Sequence, residues 1–527
     1  MPTPDDTDLS KANSEKKISP PPQSYLRAES AWQQFINKYQ FGWRHKLLTF
    51  FILVVVSFVM LWLGDKLSSQ GMALTRYMAT TQAPITGKFY PEVNREKITI
   101  IIYDDAYLRQ TGSAWPIPYA DYAAWLLRLT ADPHAKPKAI FIDITFAQER
   151  EESIEEFQAA LCSLQHELAI PVFLAALISP LDGRLHIRSD LENTKNAQGQ
   201  PCFTLVGVDS TPDPIDRQSW NYSLTTHIEN STRVSGPAPT GNDTAYRSAA
   251  LVLAQDVALL DLGVESSPLA LVWGAASADQ TGAPEFNAGC NANPSGFLPL
   301  MPDLLRQIWS KETKTPICPY HTSLSMVHVA QHDEAELAPY LKDRYLMIGA
   351  NINGYNDFAH SPVHGMLPGI FVHAMALDNL LTYGSQYKQH ESWSLPPSAS
   401  MLVAGLIAIA AVFLIHLLFR WLRSLLRALP WIQRHFPLLA MTPEEHEQST
   451  LRVRLLNAPI RFFMWLLRLF LQATAAMLLI AFMQWKFRVG MLPVVELVGM
   501  TILAEGLSYA DKVRVFFFGK PPLEKNS

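Results

Sequence analysis

A long uncharged apolar run near the N-terminus constrains the architecture of this chain more than any other feature of its sequence. The run covers residues 47–64 and contains no charged side chain over 18 residues. A helix of that length crosses the hydrocarbon core of a bilayer. The 46 residues before it are far more than precede the apolar part of a cleaved signal peptide. We therefore expect an uncleaved transmembrane helix, with the rest of the chain divided between the two sides of a membrane.

Three further apolar runs near the C-terminus predict three more spans. Lys and Arg are concentrated before the first run, between the second and third, and after the fourth, which places those segments in the cytoplasm by the positive-inside rule. The prediction is a multi-pass protein of a bacterial inner membrane, with its large domain in the periplasm and both termini in the cytoplasm. Its parts are a partly disordered tail at 1–46, spans at 47–64, 398–419, 462–483 and 489–507, an extracytoplasmic domain at 65–397, a basic loop at 420–461 and a tail at 508–527.

Charge is distributed in agreement with this topology. Residues 65–397 hold 22 Lys and Arg against 36 Asp and Glu, whereas the remaining residues hold 21 against 12. A nucleic-acid-binding protein would concentrate basic charge on its folded domain. The acidic central domain therefore argues against nucleic acid as a partner.

The four cysteines of the chain, Cys162, Cys202, Cys290 and Cys318, all lie in this outer domain. An even number in one compartment suits disulfides in an oxidising space. Pairing of nearest neighbours would join Cys162 to Cys202 and Cys290 to Cys318, although four cysteines permit three connectivities and four buried free thiols are an alternative. No two of them have the short spacing of a zinc knuckle, so we expect neither a zinc site nor another cofactor.

Alternating apolar runs predict an α/β fold for the outer domain. Runs of strand length occur at 97–105, 139–144, 172–178 and 344–350, and they are typical of parallel strands covered on both faces. Helical patterns occur at 119–130, 153–167, 249–262 and 369–381. The alternation predicts a mostly parallel sheet with flanking helices and right-handed crossovers. Residues 179–246 and 351–367 are rich in polar and turn-forming residues, so we expect long loops there, with room for one hairpin in the first.

Three sequence blocks make the outer domain resemble a known family. The order and spacing of the blocks agree over about residues 90–385, and the single span before the domain and three after it are similar to the usual layout of that family. The matching positions are Asp104, Asp105, Leu108, Gly112, Trp115, Pro116 and Tyr122, then 139–144 with Phe146, then 346–350, Asp357, Pro362, Met366, Pro368, Gly369, Ile370, His373, Ala374 and Leu377. In these positions the chain resembles the type 2 CHASE domain, an extracytoplasmic sensory module.

The resemblance implies a sensor that binds an unknown small molecule or envelope component and passes the signal through its spans. Family members usually continue after the last span into a cyclase, kinase or similar output domain, whereas residues 508–527 are too few to form one. We therefore expect a separate cytoplasmic effector or membrane-complex subunit as partner. The usual partners of the family also imply a homo-oligomer.

Sequence motifs of catalysis are missing. The cytoplasmic segments contain no phosphate-binding glycine-rich loop of the P-loop or kinase type, and the chain contains no Gly-x-Ser-x-Gly elbow. We therefore expect no enzyme activity. Two alternatives to a sensor stay open, a structural subunit of a cell-envelope membrane complex and an extracytoplasmic hydrolase.

Polar residues at the ends of the predicted strands are candidates for ligand binding. Open parallel sheets bind ligands in the crevice at the carboxyl ends of their strands. Under the alternative interpretation, the same side chains cap helices and hold turns, Trp115 packs as a lid, and His373 is hydrogen-bonded in the core. The candidates are Asp104, Asp105, Trp115, Asp143, Asn351, Asp357 and His373.

A cluster of Asp357, His360, His364 and His373 also suggests a metal site. His360 and His364 would converge on one ion only if they lay on a helix. Pro362 lies between them and favours a loop, so the sequence does not predict a metal.

Charged residues inside the predicted spans are costly unless they are paired. Arg468 and Glu505 lie at similar depth in the third and fourth spans, and we expect them to pair. Glu496 has no evident partner within the chain, which suggests a contact with another subunit.

Overall fold

The computed structural model describes residues 90–389 except 179–183, 209, 227–245, 263–267, 293–315 and 356, together with single positions among residues 76–89 and 418–471. The four predicted spans lie almost wholly outside the described residues, so their number and topology stay predictions. Within the described residues, no helix combines the length and the apolar character that crossing a membrane requires.

The described residues form strands and helices that alternate along most of the chain. In order they are β1 (Ile98–Asp104), α1 (Asp105–Thr111), α2 (Tyr119–Leu129), β2 (Ala139–Ile142), α3 (Glu155–Cys162), β3 (Val172–Ile178), β4 (Leu185–His186), α4 (Ser189–Glu192), β5 (Thr204–Gly207), β6 (Asn221–Tyr222), β7 (Thr225–Thr226), β8 (Tyr246–Arg247), α5 (Ala249–Val252), β9 (Leu269–Ala270), β10 (Thr322–Ser325), α6 (Met326–Gln331), α7 (Glu334–Leu341), β11 (Tyr345–Asn351), β12 (Phe358–Ser361), β13 (Gly365–Pro368) and α8 (Ile370–Tyr383).

A mostly parallel seven-stranded sheet forms the centre of this α/β domain. The strands β10, β1, β11, β2, β3 and β5 are neighbours in that order and pair in parallel. The short β4 pairs antiparallel with the end of β3. Because β11 lies between β1 and β2, the loop that follows β11 begins beside the carboxyl ends of both strands.

Alternate side chains of the strands face two apolar layers. In β1, Ile98, Ile100 and Ile102 belong to the cluster that contains helices α5 and α8, whereas Ile101 and Tyr103 belong to the cluster that contains α2, α3 and α7. Every residue of β1 is buried, as expected for a strand with helices on both faces. Flanking helices therefore hold the sheet from both sides, and the carboxyl ends of its parallel strands meet at one edge.

The predicted elements of the sheet are largely confirmed. β3 has the predicted bounds, β1 and β2 lie within theirs, and β11 is displaced by one residue. The α3 pattern continues as a π-helical turn over Ser163–Glu167, so the predicted length of that helix is also confirmed.

The predictions for three segments were wrong or incomplete. Residues 179–246 contain a sheet strand, β5, and residues 351–367 contain the β12–β13 hairpin, where long loops were expected. The helix expected at 249–262 is α5 followed by a π-helical turn that ends at Val257. The edge strand β10 and the helices α1, α6 and α7 were not predicted, because β10 is a Thr-Ser-Leu-Ser segment without an apolar run and the three helices are short.

Two disulfides join Cys162 to Cys202 and Cys290 to Cys318. This is the nearest-neighbour pairing, and no cysteine in the described part of the chain is free. The first bond ties the end of α3 to the segment before β5, and the second closes a loop of 28 residues before β10. Free thiols are thereby excluded for these four residues.

Candidate functional site

Asp143 directly follows β2 at the carboxyl edge of the sheet. Its backbone N–H donates to the carbonyl of Ile348 in the neighbouring β11, 2.7 Å away, which fixes the end of the strand. The side chain is 8% exposed, yet no hydrogen bond reaches its carboxyl group from any described residue. His373 Nε2 lies 3.8 Å from Asp143 Oδ2. A nearly buried carboxyl without a hydrogen-bond partner is uncommon in proteins, so Asp143 is the first candidate for a ligand contact.

Asp357 approaches the same position from the loop between β11 and β12. Its carbonyl accepts a hydrogen bond from Gly369 N at 3.0 Å, which holds the loop against the start of α8. A Cβ atom on Gly369 would lie 2.3 Å from Asp357 Oδ1, so only glycine leaves room for the carboxyl group there. Asp357 is exposed as a residue, and the charges of Asp143 and His373 act on its carboxyl group.

His373 lies in the first turn of α8, beside Asp143. Its Nδ1 is 2.7 Å from the hydroxyl of Tyr222, and its ring packs against Phe141 with 5.5 Å between ring centroids. The Tyr222 hydroxyl also accepts a hydrogen bond from Ala250 N. The other ring nitrogen of His373, Nε2, faces Asp143. We refer to Asp143, Asp357, His373 and Tyr222 as the recess.

The electrostatics of the recess favour neutral or protonated groups. Burial raises the pKa of Asp143 to about 7. Shielding of its carboxyl by surrounding protein and then repulsion from Asp143 raise the pKa of Asp357 to about 7, against an opposing effect of His373. Burial lowers the pKa of His373 to about 4. The recess therefore exchanges protons in the neutral range while its imidazole stays uncharged.

The other strand-end acids have internal partners. Asp104 caps α1, since its carboxylate accepts from Tyr107 N at 2.9 Å and from Ser325 Oγ at 2.8 Å. Asp105 accepts hydrogen bonds from the backbone and side chain of Asn353. Asn351 pairs in register with Asp104 at the end of β11. Capping and turn formation, the alternative interpretation, account for the contacts of Asp104 and Asp105.

Trp115 packs between aromatic side chains beside this edge. Its ring lies 6.1 Å from Tyr103 and 6.0 Å from the partly exposed Tyr355, measured between centroids. Tyr355 belongs to the same loop as Asp357. This packing agrees with the lid interpretation of Trp115.

The histidines of the hairpin do not join the recess. Both ring nitrogens of buried His364 face backbone carbonyls, Nδ1 that of Ile317 at 3.1 Å and Nε2 that of Gly274 at 2.9 Å. His360 lies exposed in β12. Among the described residues, no group of three or more His, Cys, Asp and Glu side chains is arranged to hold a metal ion.

A second buried polar network lies further along α8. Asp378 is fully buried, and its carboxylate accepts from Tyr90 OH at 2.5 Å and Thr382 Oγ1 at 3.1 Å, and lies 3.1 Å from His321 Nε2. Asn94 Nδ2 donates to Thr382 Oγ1 at 3.0 Å. Tyr90 and Asn94 belong to the chain segment that enters the domain, whereas α8 is the helix that leaves it. We call Tyr90, Asn94, His321, Asp378 and Thr382 the junction, because they join the incoming segment to the outgoing helix.

One known protein family matches most of this chain. The family model of the CHASE2 domain matches residues 49–417, which is more than half of the chain. The chain belongs to the CHASE2 domain family. CHASE2 domains are extracytoplasmic sensory domains, so the α/β domain described above is a sensory domain. Neither the curated proteins nor the solved structures contained a match.

The CHASE2 blocks surround the carboxyl edge of the sheet. Asp143 comes from the second block and Asp357 and His373 come from the third, and the fold places Asp143 beside His373. Sequence reasoning missed Tyr222 and the whole junction, because Tyr222 lies in a two-residue strand within a segment that has no periodic pattern. Buried polar residues in the apolar α8 pattern, Asp378 and Asn379, were the available signal for the junction. The predicted intramembrane residues Arg468, Glu496 and Glu505 lie outside the described residues.

Proposed function

We propose that this chain is a membrane-anchored CHASE2 sensor that binds its signal in the recess and passes it to a separate cytoplasmic effector. The observation that carries the proposal is the position of α8. One helix holds His373 of the recess in its first turn and Asp378 and Thr382 of the junction further along.

The path from the recess to the junction is short and continuous. At a rise of 1.5 Å per residue, about 14 Å of helix separates His373 from Thr382. Both ends of this helix segment have polar contacts to other elements, so a shift of α8 changes the recess and the junction together. A few kcal/mol of differential ligand binding is enough to move such an equilibrium.

The remaining parts of the proposal follow from the sequence. We propose four spans with both termini in the cytoplasm, a homo-oligomer, and no catalytic activity within the chain. The basic loop at 420–461 would contact the effector, and a pair of Arg468 with Glu505 would fix the last two spans relative to each other.

Photo-crosslinking of the full-length protein in its native membrane tests the proposal. A photo-reactive amino acid at Leu438, in the basic loop, should capture a cyclase, kinase or phosphodiesterase. The activity of that enzyme should change in the His373→Gln variant and not in the Asp132→Asn variant, because Asp132 is a half-buried acid whose carboxylate accepts from His134 N and belongs to neither the recess nor the junction.

A different result would overturn the sensor proposal. If the loop captures no signalling enzyme, and crosslinkers within residues 65–397 capture only envelope-assembly proteins, the chain is a structural subunit. If a captured enzyme responds equally to His373→Gln and Asp132→Asn, the signal does not act through the recess.

A further inference from the structure

The β12–β13 hairpin carries apolar side chains on its exposed face. A hairpin that covers a core normally turns its apolar side chains inward and its polar ones outward. Its inner face follows this rule, because Ala359 and Leu367 pack in the core cluster that contains α5 and α8. On the outer face, Phe358 and Met366 are 38% and 59% exposed, and the strand register places them on one face with exposed His360. Contiguous exposed apolar surface is typical of protein or membrane interaction sites.

The hairpin is bonded to a segment that precedes it in the chain. Gln218 bridges to His360, and Ser219 N donates to the His360 carbonyl at 2.7 Å. A third exposed apolar side chain, Ile215, lies three positions before Gln218 and is 38% exposed. We call residues 213–222 the bridging segment, because other parts of the chain also meet it.

The chain enters the domain at the bridging segment. Arg76 Nη2 lies 2.8 Å from Asp213 Oδ2, and the two side chains are 18% and 4% exposed. The first predicted span ends at residue 64, 12 positions before Arg76. A chain of that length covers about 18 Å as a helix and at most about 43 Å when fully extended. The first tether therefore restricts how far the bridging segment can lie from the membrane.

The chain also leaves the domain beside this segment. Gln389 bridges to Leu269, and Leu269 pairs with Tyr222 at the end of the bridging segment. The second predicted span begins at residue 398, nine positions after Gln389, and nine residues cover at most about 32 Å. Both tethers thus meet the segment that is bonded to the hairpin, and this convergence favours a lipid surface as the partner of the exposed apolar face.

We propose that the outer face of the β12–β13 hairpin lies against the bilayer and inserts Phe358 and Met366 among the lipid headgroups. The proposal rests on the membrane anchoring proposed above. Interfacial binding of this kind is stabilised by the apolar area that leaves water. Because β13 leads through Gly369 directly into α8, the hairpin connects the lipid surface to the first turn of α8, which carries His373.

Quenching of a fluorescent label by spin-labelled lipid tests the proposal on the full-length protein in phosphatidylcholine nanodiscs. The four native cysteines are paired in disulfides, so a bimane reagent should label the new thiol of Met366→Cys. Phosphatidylcholine with a nitroxide near the headgroup should quench this label by about half or more. A label at Phe358→Cys should behave in the same way.

Phe89→Cys is the matched control. Phe89 is 71% exposed, more than Met366, and it directly precedes Tyr90 of the junction, at the other end of α8. Its label should lose less than about a fifth of its fluorescence. Equal quenching at the two positions, or stronger quenching at Phe89→Cys, would overturn the proposal. Crosslinking of Met366→Cys between two copies without quenching would assign the face to a second copy and overturn it as well.

Alkaline extraction of native membranes tests the anchoring separately. If the protein stays in the membrane and neither hairpin label is quenched, the anchoring survives and the lipid contact is wrong. If alkali releases the protein, the anchoring is wrong and the hairpin proposal fails with it. If both hairpin labels are quenched as expected while effector activity is unchanged by His373→Gln, the lipid contact stands and the recess does not control output.

Discussion

The raised pKa of Asp143 makes the stability of the domain depend on pH. In an unfolded chain an Asp carboxyl has a pKa of about 4, whereas burial raises the pKa of Asp143 to about 7. Folding therefore favours its protonated form. The resulting contribution to stability is fully present below about pH 4 and is lost as pH rises through about 7.

Asp143→Asn should for this reason stabilise the protein more at high pH than at low pH. Asn cannot ionise, so the free energy of unfolding of the variant, relative to the wild type, should increase by on the order of 2 kcal/mol between pH 5 and pH 8. Denaturant unfolding at both pH values measures this difference. The lowered pKa of His373 changes stability with pH in the opposite direction. This effect is present in the wild type and in the variant, so it cancels from the difference between them. If the variant and the wild type differ in free energy of unfolding by the same amount at pH 5 and at pH 8, the raised pKa of Asp143 is contradicted.

Tyr90 provides a test of the junction at the same scale. Its buried hydroxyl donates to Asp378 and accepts from Asn379 Nδ2. Tyr90→Phe should lower the free energy of unfolding by about 2 kcal/mol, because a hydrogen bond to a buried charged group is lost. Tyr345→Phe is the matched control, since the buried hydroxyl of Tyr345 has no hydrogen-bond partner, and it should be neutral or slightly stabilising. Equal effects of the two substitutions would show that the junction contributes nothing.

At the scale of the elements, close packing fixes α8 on the sheet. Gly349 in β11 lies beneath Ile370, the first residue of α8, and a Cβ atom there would lie 2.9 Å from Ile370 Cβ. Gly349 and Ile370 are both buried in the core. Neither residue can therefore shift freely to relieve the close contact.

Gly349→Ala should therefore destabilise the protein by about 1 to 3 kcal/mol. Gly207→Ala in β5 is the control, because its new Cβ would meet only a carbonyl oxygen at 3.7 Å, an ordinary contact. Thermal unfolding in detergent compares the two variants. An unchanged midpoint for Gly349→Ala would mean that α8 lies less closely on β11 than described here.

The elements that the sequence predicts well are those with strong periodic or continuous patterns. β1 and β3 are long apolar runs, and burial on both faces explains why such runs become central strands. β10 and β5 are four residues each and contain Thr, Ser or Gly, so only tertiary pairing makes them strands. Asp143, Asp357 and His373 were predicted singly from strand ends and family blocks. Their convergence, and the role of Tyr222, depend on distances that no local pattern encodes.

At the scale of the whole molecule, two disulfides restrict the unfolded chain. The Cys162–Cys202 bond links residues 40 positions apart, and a loop of that length contributes about 4 kcal/mol in the chain-entropy description. The free energy of unfolding of the double variant Cys162→Ala/Cys202→Ala should therefore be about 4 kcal/mol lower than that of the wild type. Reductant should lower the unfolding midpoint of the wild type and leave a variant without all four cysteines unaffected. Four alkylatable thiols in protein from native membranes would contradict the pairing.

Hydrogen–deuterium exchange of the full-length protein at pH 8, with the wild type compared to Asp143→Asn, tests whether α8 couples the recess to the junction. One helix contributes His373 to the recess and Asp378 and Thr382 to the junction. Neutralising Asp143 should slow exchange in α8 as far as Thr382 and in the incoming segment around Tyr90 and Asn94, whereas Asp132→Asn should not. Slower exchange confined to the residues beside Asp143, with the junction unchanged, would contradict transmission through α8.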